Sequence, residues 1–284
     1  MKHYTMSVTE NELEKLNKVY QYHQIEDKNP YLLFHAKHND IDILGYKTGK
    51  VLLQGPEITH ELVAIKSHLN KVDYAAIGSD EVGTGDVFGP IVVCSAFVNK
   101  SEIPFLEDLN VRDSKNMSDQ QIIDIAQIIA KKLVHSLLIL PPSKYNKLVK
   151  DGYNLNKIKA LLHNQAIIKT SSKLKETVPV ILDQFCTPQL YYNYLKDETL
   201  VYRDIEFHTK AESVHLSVAA ASIIARYAFL VKMKQYSQKI GTKLPKGAGK
   251  EADEVIRQIS EKKGPKGLNL VTKMNFKNVT KQDL

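Results

Sequence analysis

Tryptophan is absent from this sequence of 284 residues, and cysteine occurs only twice, as Cys94 and Cys186. Neither cysteine has a partner at the spacing of a metal site or a redox pair, so we expect two reduced thiols. No apolar run approaches the roughly 18 residues that a membrane-spanning helix needs, and the N-terminus lacks the apolar stretch of a signal peptide. These absences argue against a secreted or membrane-embedded protein and predict a cytoplasmic location.

The charge of the chain is positive and unevenly distributed. Hydrophobic residues make up 43% of the sequence, enough for a substantial core, and the formal net charge is +7 with a pI near 9.1. The first seventy residues carry eight lysines and nine acids, a net charge of −1, which leaves +8 on the remainder. A basic protein suits a polyanionic partner such as a nucleic acid, and the positive charge lies in the larger, C-terminal part.

The order of predicted elements divides the chain into two domains, residues 1–70 and 71–284. The first reads as a small α+β domain with the order strand, helix, three strands, helix. Thr9 and Glu12 form a capping box at the start of its first helix, and Gly49 suits a hairpin turn because glycine readily adopts positive φ.

Strands and helices alternate after residue 72, which predicts an α/β domain. Beyond Tyr236 the sequence reads as loop-rich, with one helix near residues 251–261. The other predicted elements are strands at 74–77, 91–98, 134–140 and 178–182, and helices that begin near residues 118, 157 and 214.

Two adjacent carboxylates, Asp80 and Glu81, follow an apolar strand and precede two glycines, Gly83 and Gly85. Neighbouring side chains of a regular strand point to opposite faces, so these acids can share one site only where the strand ends or bends. The glycines can supply that bend, and they also permit a ligand to approach the backbone closely.

A dinucleotide-binding loop is the main alternative for this glycine-rich turn. Gly83, Gly85 and Gly89 are spaced G-x-G-x-x-x-G, whereas the dinucleotide fingerprint is G-x-G-x-x-G. Pro90 also precedes a strand, at a place where that fingerprint requires a helix. The spacing therefore argues against a nucleotide cofactor.

Clustered acids suit the metal-dependent hydrolysis of phosphodiesters. Two Mg²⁺ or Mn²⁺ ions roughly 3.5 to 4 Å apart activate a water and neutralise the leaving oxygen, and they require several oxygen ligands. Asp183, at the end of an apolar strand, and Glu212, before an alanine-rich helix, are candidates for further ligands. Taken singly, each is more often a solvated loop acid or a helix-start acid, so the hypothesis depends on their occurring together.

Several motifs follow one another along the chain, namely Asp80-Glu81-Val82-Gly83-Thr84-Gly85, Arg112-Asp113-Ser114-Lys115, Asp183, Lys210-Ala211-Glu212 and the Ala-rich stretch from Ser217 to Arg226. In this order they resemble the type 2 ribonucleases H, over nearly all of the chain after Val72. The ribonuclease HIII branch matches best. It carries Gly-Thr-Gly where ribonuclease HII usually has Gly-Arg-Gly or Gly-Lys-Gly, and it has Glu as the fourth acid.

The resemblance implies a ribonuclease H-like mixed sheet flanked by helices, with a small N-terminal domain that resembles the TATA-box-binding-protein fold. It implies an endonuclease that hydrolyses the RNA strand of RNA/DNA hybrids and leaves 5′-phosphate and 3′-hydroxyl ends. Two ions of Mg²⁺ or Mn²⁺ would serve as cofactors, and the N-terminal domain would help to hold the hybrid.

The resemblance also assigns roles to individual residues. Asp80, Glu81, Asp183 and Glu212 would be the metal-binding and catalytic acids. The backbone of Gly83, Thr84 and Gly85 would contact ribose 2′-hydroxyls, which distinguish RNA from DNA. Ser114 and Lys115 would face the substrate, with Lys115 on a phosphate.

Lys144 and the histidines rest on weaker signals. Lys144, after the turn at Pro141 and Pro142, is a candidate phosphate contact, with a solvated lysine as an equal alternative. His163 and the other helix-associated histidines are interpreted as structural.

Two alternatives stay open at this point. One is incision at single ribonucleotides embedded in duplex DNA, as in ribonuclease HII. The other is a non-catalytic protein that binds hybrids. The four acids argue against the second alternative, because a binder of a polyanion gains nothing from clustered negative charge.

Overall fold

The computed structural model describes residues 1–69, 71, 73–111, 114 and 116–282. By the density of its internal contacts the chain separates into two compact units. The first comprises Met1–Tyr74 and Lys100–Asn110, and the second comprises Ala75–Asn99 and Val111–Leu284. Residues 100–110 thus belong to the first unit, although they follow the predicted boundary at residue 70.

The first unit contains an antiparallel four-stranded sheet with the strand order β1-β4-β3-β2. The observed order β-α-β-β-β-α over the first seventy residues agrees with the prediction, and a further helix comes from residues 100–110. Its elements are β1 (Lys2–Ser7), α1 (Glu10–Val19), β2 (Leu32–His38), β3 (Ile41–Tyr46), β4 (Lys50–Gly55), α2 (Thr59–His68) and α3 (Ile103–Asp108).

Strand alternation gives this sheet one buried and one open face. Alternate residues such as Phe34, Ile43 and Leu53 are buried and form a core with Leu16 of α1 and Ile65 of α2. The residues between them are more exposed. The predicted capping box is confirmed, since Thr9 and Glu12 exchange hydrogen bonds at the start of α1.

The second unit contains a mixed five-stranded sheet with the order β7-β6-β5-β8-β9, as the predicted fold class requires. Strands β5, β6 and β7 pair antiparallel, whereas β8 is parallel to β5 and to β9. The elements are β5 (Ala76–Val82), β6 (Ile91–Val98), α4 (Asp119–Lys132), β7 (His135–Leu140), α5 (Pro142–Lys150), α6 (Leu155–Ser171), β8 (Val180–Asp183), α7 (Pro188–Tyr194), β9 (Glu206–His208), α8 (Leu216–Ile240), α9 (Lys250–Val271) and α10 (Lys277–Thr280).

The central strand β5 lies between α8 on one face of the sheet and α6 on the other. Ala76 packs with Val218 of α8, whereas Ile77 packs with Ile167 of α6. At Gly78 the backbone of α8 comes so close that a Cβ would lie 2.2 Å from the Val218 nitrogen. A residue of β5 therefore faces α8 or α6 according to its parity in the sequence.

Two expectations about element length are wrong. Strand β5 continues to Val82, so it contains Asp80 and Glu81, whereas the apolar run predicted an end at Ile77. The C-terminal part is less loop-rich than expected, because α9 continues to Val271 across a kink at Gly264. Pro265, next to that glycine, suits the first turn of the continuing helix, where no N–H is needed.

Helix α8 is long and apolar enough to cross a membrane by length and composition, contrary to the expectation that no run approaches that length. Most of its apolar window, 67%, is buried within the protein. This burial accounts for its apolar composition, since α8 covers a face of the sheet.

Gly78→Ala is expected to destabilise the protein, because the new methyl group would meet backbone atoms of α8 that cannot move independently. We expect a loss of about 3 kcal/mol, measured as urea-induced unfolding. Gly85→Ala is the matched control, since a Cβ there meets no atom within 4 Å. Equal stability of the two variants would contradict the close approach of β5 and α8.

Candidate active site

Asp80 and Asp183 lie side by side on the α8 face of the sheet. Strands β5 and β8 are parallel, with Ser79 opposite Leu182, so the next residue on each strand is one of these acids. Asp80 is hydrogen-bonded to the side chain of Ser222 on α8. The charge of Asp183 is among the causes that raise the pKa of Asp80, as expected for neighbouring carboxyl groups.

Glu212 lies in a 3₁₀ turn, Ala211–Ser213, that directly contacts Asp183. The Ala211 N–H donates to Asp183 Oδ1 at 2.8 Å. The turn begins at Lys210, whose left-handed conformation (φ 58°, ψ 47°) is uncommon for a residue with a side chain. The chain thus brings acids from three distant segments to one end of β5 and β8.

Glu81 extends towards the opposite face and meets helix α6. Lys159 forms an ion pair with one carboxylate oxygen of Glu81, and His163 Nε2 lies 2.9 Å from the other. Lys159 Nζ also lies 3.9 Å from the centre of the Phe185 ring. The expectation that a bend would bring Asp80 and Glu81 to one site is wrong in this structure, because β5 pairs regularly with β6 as far as Val82.

His163 links Ser79 to Glu81. The Ser79 hydroxyl donates to the Cys94 carbonyl and lies 2.8 Å from His163 Nδ1. His163 Nε2 faces the Glu81 carboxylate. Burial alone would raise the pKa of Glu81, but the contacts with His163 and Lys159 outweigh burial and lower it.

Asp80 is in the opposite electrostatic situation. Burial of its carboxyl and the neighbouring charge of Glu81 raise its pKa to about 7. Hydrogen bonds from Ser222 and from the Glu81 N–H act in the other direction without cancelling this effect. The α8 face therefore holds negative charge that these hydrogen bonds do not compensate, and a cation would relieve it.

The donor chemistry fits a hard divalent cation, since carboxylate oxygens are the ligands that Mg²⁺ and Mn²⁺ prefer. Within the part of the chain that the structure describes, no three His, Cys, Asp or Glu side chains are grouped closely enough to hold a metal ion. The orientation of Glu81 towards Lys159 and His163 is consistent with this. Asp80 and Asp183 lie together on the α8 face. Before all four acids could hold a metal, Glu212 would have to reach towards them from its turn, and Glu81 would have to leave its partners on α6.

The glycine-rich turn after β5 has one glycine that the fold requires and one that it does not. Gly83 has φ 89°, and a Cβ there would lie 2.2 Å from the Pro90 carbonyl oxygen. Gly85 is exposed, and a Cβ there would meet no protein atom within 4 Å. Packing therefore explains the glycine at position 83 but not the one at position 85, where the exposed backbone is open to a ligand.

The structure locates two of the three remaining predicted substrate contacts. Ser114 is 4% exposed, and its hydroxyl has no hydrogen-bond partner among the residues that the structure describes. The Ser114 carbonyl accepts from Arg226 Nη1 at 3.1 Å. Lys144 is exposed in the first turn of α5, and Lys115 lies outside the described residues. Their contacts with substrate stay predictions.

Sequence reasoning missed Lys159 and Ser222 and undervalued His163. Lys159 and His163 are four residues apart on α6, which places them on one face of the helix. Two basic side chains on a buried helix face, 7% and 0% exposed, indicate a buried acid opposite. No comparable signal in the sequence singles out Ser222.

A mixed sheet whose central strands carry acids, with a further acid before the long helix that covers them, defines a nuclease of the ribonuclease H class. Residues 77–279 match the ribonuclease HII family, and residues 3–71 match a domain of unknown function, DUF3378. Ribonuclease HIII of Phytoplasma mali is 49% identical over 284 residues, which cover 99% of each chain. Ribonuclease HIII of Bacillus subtilis is 39% identical over 99% of this chain and 97% of its own.

Solved structures agree with these relatives. Bst-RNase HIII in complex with Mn²⁺ superposes with a TM-score of 0.76 at 37% identity, covering 99% of this chain and 97% of its own. RNase H3 of Aquifex aeolicus has a TM-score of 0.57 at 27% identity, covering 96% of this chain and 99% of its own. The chain belongs to the ribonuclease HIII family and is an endoribonuclease.

Asp80→Asn is expected to stabilise the metal-free protein at alkaline pH. The folded-state pKa of Asp80, about 7, lies above the ordinary value of 3.8. Folding therefore becomes less favourable as the pH rises between these values, and the whole penalty, up to about 4 kcal/mol, is present above pH 7. Thermal unfolding in EDTA at about pH 8 should show a higher Tm for the variant, and near pH 4 the difference should vanish.

The control for that comparison is Asp197→Asn, which changes an exposed aspartate. It should leave Tm unchanged at both pH values. A lower Tm for Asp80→Asn at alkaline pH would show that the Asp80 carboxylate is well compensated in the absence of metal.

Proposed function

We propose that this enzyme binds RNA/DNA hybrids and hydrolyses their RNA strand with Mg²⁺ or Mn²⁺, leaving 5′-phosphate and 3′-hydroxyl ends. The proposal rests mainly on one observation. Asp80, Asp183 and the turn that contains Glu212 lie together at the end of β5 and β8, and hydrogen bonds do not compensate the negative charge buried there. Membership of the ribonuclease HIII family supports it, as does the Mn²⁺ complex of Bst-RNase HIII.

In this proposal Asp80, Glu81, Asp183 and Glu212 are the metal-binding and catalytic acids. The bound ions supply positive charge and an activated water for phosphodiester hydrolysis. The chain's own contribution is to hold these carboxylates in place. The Ala211 N–H orients Asp183 and Ser222 orients Asp80, whereas Glu81 would have to turn away from Lys159 and His163 to reach a bound ion.

Recognition of the RNA strand is assigned to the turn Gly83–Gly85 and to Ser114, with Lys115 and Lys144 on phosphates. The exposed backbone at Gly85 suits a contact with a 2′-hydroxyl, because a main-chain group can approach the ribose where no side chain intervenes. The charge of +8 on residues 71–284 favours a polyanionic substrate.

The open face of the sheet in the first unit is proposed to hold the hybrid. Strand pairing places Lys37 beside Asp42 and Tyr46 beside Lys50 on that face. Asp42 lies 2.9 Å from His35 Nε2, so its carboxylate already has a hydrogen-bond partner. The near-neutral N-terminal region would then bind through local contacts, since it has no strong field of its own.

We also propose that the enzyme works in the cytoplasm. Cys94 and Cys186 are free thiols, as a reducing compartment requires. Helix α8, the single helix among the described residues that is long and apolar enough to cross a membrane, is mostly buried within the protein.

Cleavage assays test the proposed reaction directly. A uniform RNA/DNA hybrid should be cut with Mg²⁺ or Mn²⁺ and spared with EDTA. Asp80→Asn should lower kcat by at least roughly a thousandfold while the variant stays folded.

A duplex DNA that carries one ribonucleotide separates the alternatives. Preferential incision there would replace the proposal by ribonuclease HII-like activity. Tight binding of the hybrid without cleavage under either metal would indicate a non-catalytic binding protein.

Reversing the charge of Lys37 and Lys50 together should raise KM for a hybrid and leave kcat nearly unchanged. If both lysines contact phosphates, the salt dependence of binding should also weaken by about two units of slope. Lys15→Glu with Lys18→Glu is the matched control, because both lysines are exposed on α1 and the net charge changes equally. Equal KM values for the two double variants would remove the sheet face from the substrate site.

A further inference from the structure

A buried lysine holds the turn that follows Gly83–Gly85. Lys273 is 0% exposed, and its Nζ donates to the carbonyl oxygens of Asp86 and Gly89, each at 2.7 Å. Burial lowers the pKa of Lys273 to about 7. Whether charged or neutral, the amine has the two protons that these bonds require.

The backbone of the same turn is bound to the segment around Lys273. The Lys273 N–H donates to the Val87 carbonyl, and the Gly89 N–H donates to the Val271 carbonyl, both at 2.8 Å. Phe88 forms an isolated bridge with Thr272 between them. Residues 87–89 are therefore held like a short strand against the end of α9.

A second C-terminal segment holds the other end of the turn through Asp86. Asp86 Oδ1 accepts from the Gly247 N–H at 2.6 Å, and the Val87 N–H donates to the Gly247 carbonyl at 3.1 Å. The acceptor is a side-chain oxygen, so an amide at position 86 could replace the carboxylate, whereas a methyl group could not.

The Gly247 segment also reaches the segment of Ser114. Lys246 Nζ lies 2.5 Å from Asp119 Oδ2, and Arg226 Nη2 lies 2.7 Å from Asp119 Oδ1. Arg226 also donates to the Ser114 carbonyl. Hydrogen bonds and the Lys246–Gly247 backbone thus connect Asp86, next to the turn Gly83–Gly85, with the segment of Ser114. Both the turn and Ser114 are proposed to contact the RNA strand.

The hydrogen bonds at Asp86 to Gly89 are important for the turn, because its glycines do not restrict the backbone conformation themselves. Gly83 and Gly85 have access to a wide range of φ and ψ, and a Cβ at Gly85 would touch nothing. A backbone group binds a ribose efficiently only if its position is set before the substrate arrives. The hydrogen bonds that set this position lie just after the glycines, at Asp86 to Gly89.

We propose that Lys273 and Asp86 are positioning residues, which fix the Gly83–Gly85 backbone in the conformation that receives the ribose of the RNA strand. The inference rests on the proposed function of that turn. It assigns no contact with substrate to either side chain. It predicts that loosening the turn weakens recognition of the RNA strand even when the fold remains intact.

The test compares Asp86→Ala with Asp86→Asn in the full-length enzyme. Asp86→Asn keeps an oxygen for the Gly247 N–H and should retain kcat/KM for a hybrid within about threefold. Asp86→Ala should lower kcat/KM by roughly tenfold or more, mainly through KM, and should speed amide hydrogen exchange in residues 83–90. Lys273→Met should behave like Asp86→Ala.

Ile129→Val controls for general loss of stability, since Ile129 is buried on α4 and has no place in the site. At similar overall stability it should leave KM and exchange in residues 83–90 unchanged. If Asp86→Asn is as defective as Asp86→Ala, the charge of Asp86 matters and the positioning role is wrong. If Asp86→Ala and Lys273→Met match the wild type in KM and in amide hydrogen exchange, the conformation of the turn does not depend on these hydrogen bonds and the proposal is wrong. Failure of the wild type to cut hybrids would instead refute the proposed function.

Discussion

The alternation of side chains along β5 is the constraint on which the rest of the site depends. Gly78 and Asp80 face α8, whereas Ser79 and Glu81 face α6. The adjacent acids consequently meet different surroundings: Asp80 lies among other acids, and Glu81 lies between Lys159 and His163. One backbone geometry thus produces one carboxyl with a raised pKa and one with a lowered pKa.

Because Asp80 and Glu81 face different surroundings, we expect them to respond differently to a bound cation. Buried negative charge at Asp80 on the α8 face favours a cation there, and such a cation would compete with Lys159 and His163 for Glu81. The competition is moderated because Lys159 also lies over the Phe185 ring, a contact that it keeps without Glu81. The charge of Glu81 still raises the pKa of Asp80, so the two acids influence each other although they face different partners.

Local signals predicted much of the fold, because they depend on few neighbours. The capping box at Thr9 and strand β6 were both readable from short stretches. The four acids were readable as motifs, but the face that each acid occupies was not. The apolar run before Asp80 ends at Ile77, whereas pairing with β6 carries β5 on to Val82. Tertiary pairing, which the local pattern does not encode, thus decided the direction of Glu81.

The contacts of the turn after β5 could not be predicted from local sequence patterns either, because its partners lie far away along the chain. Lys273 and Asp86 are 187 positions apart, and a single lysine near a basic C-terminus has no feature that distinguishes it from its solvated neighbours. Its burial follows from the packing of α9 and the strand-like pairing of residues 87–89 with residues 271–273. Flexible glycines beside the active acids need such an external restraint, because the freedom that lets a backbone approach a ribose also lets it move away. The backbone directly after Gly83–Gly85 is therefore held largely by the C-terminal part of the chain.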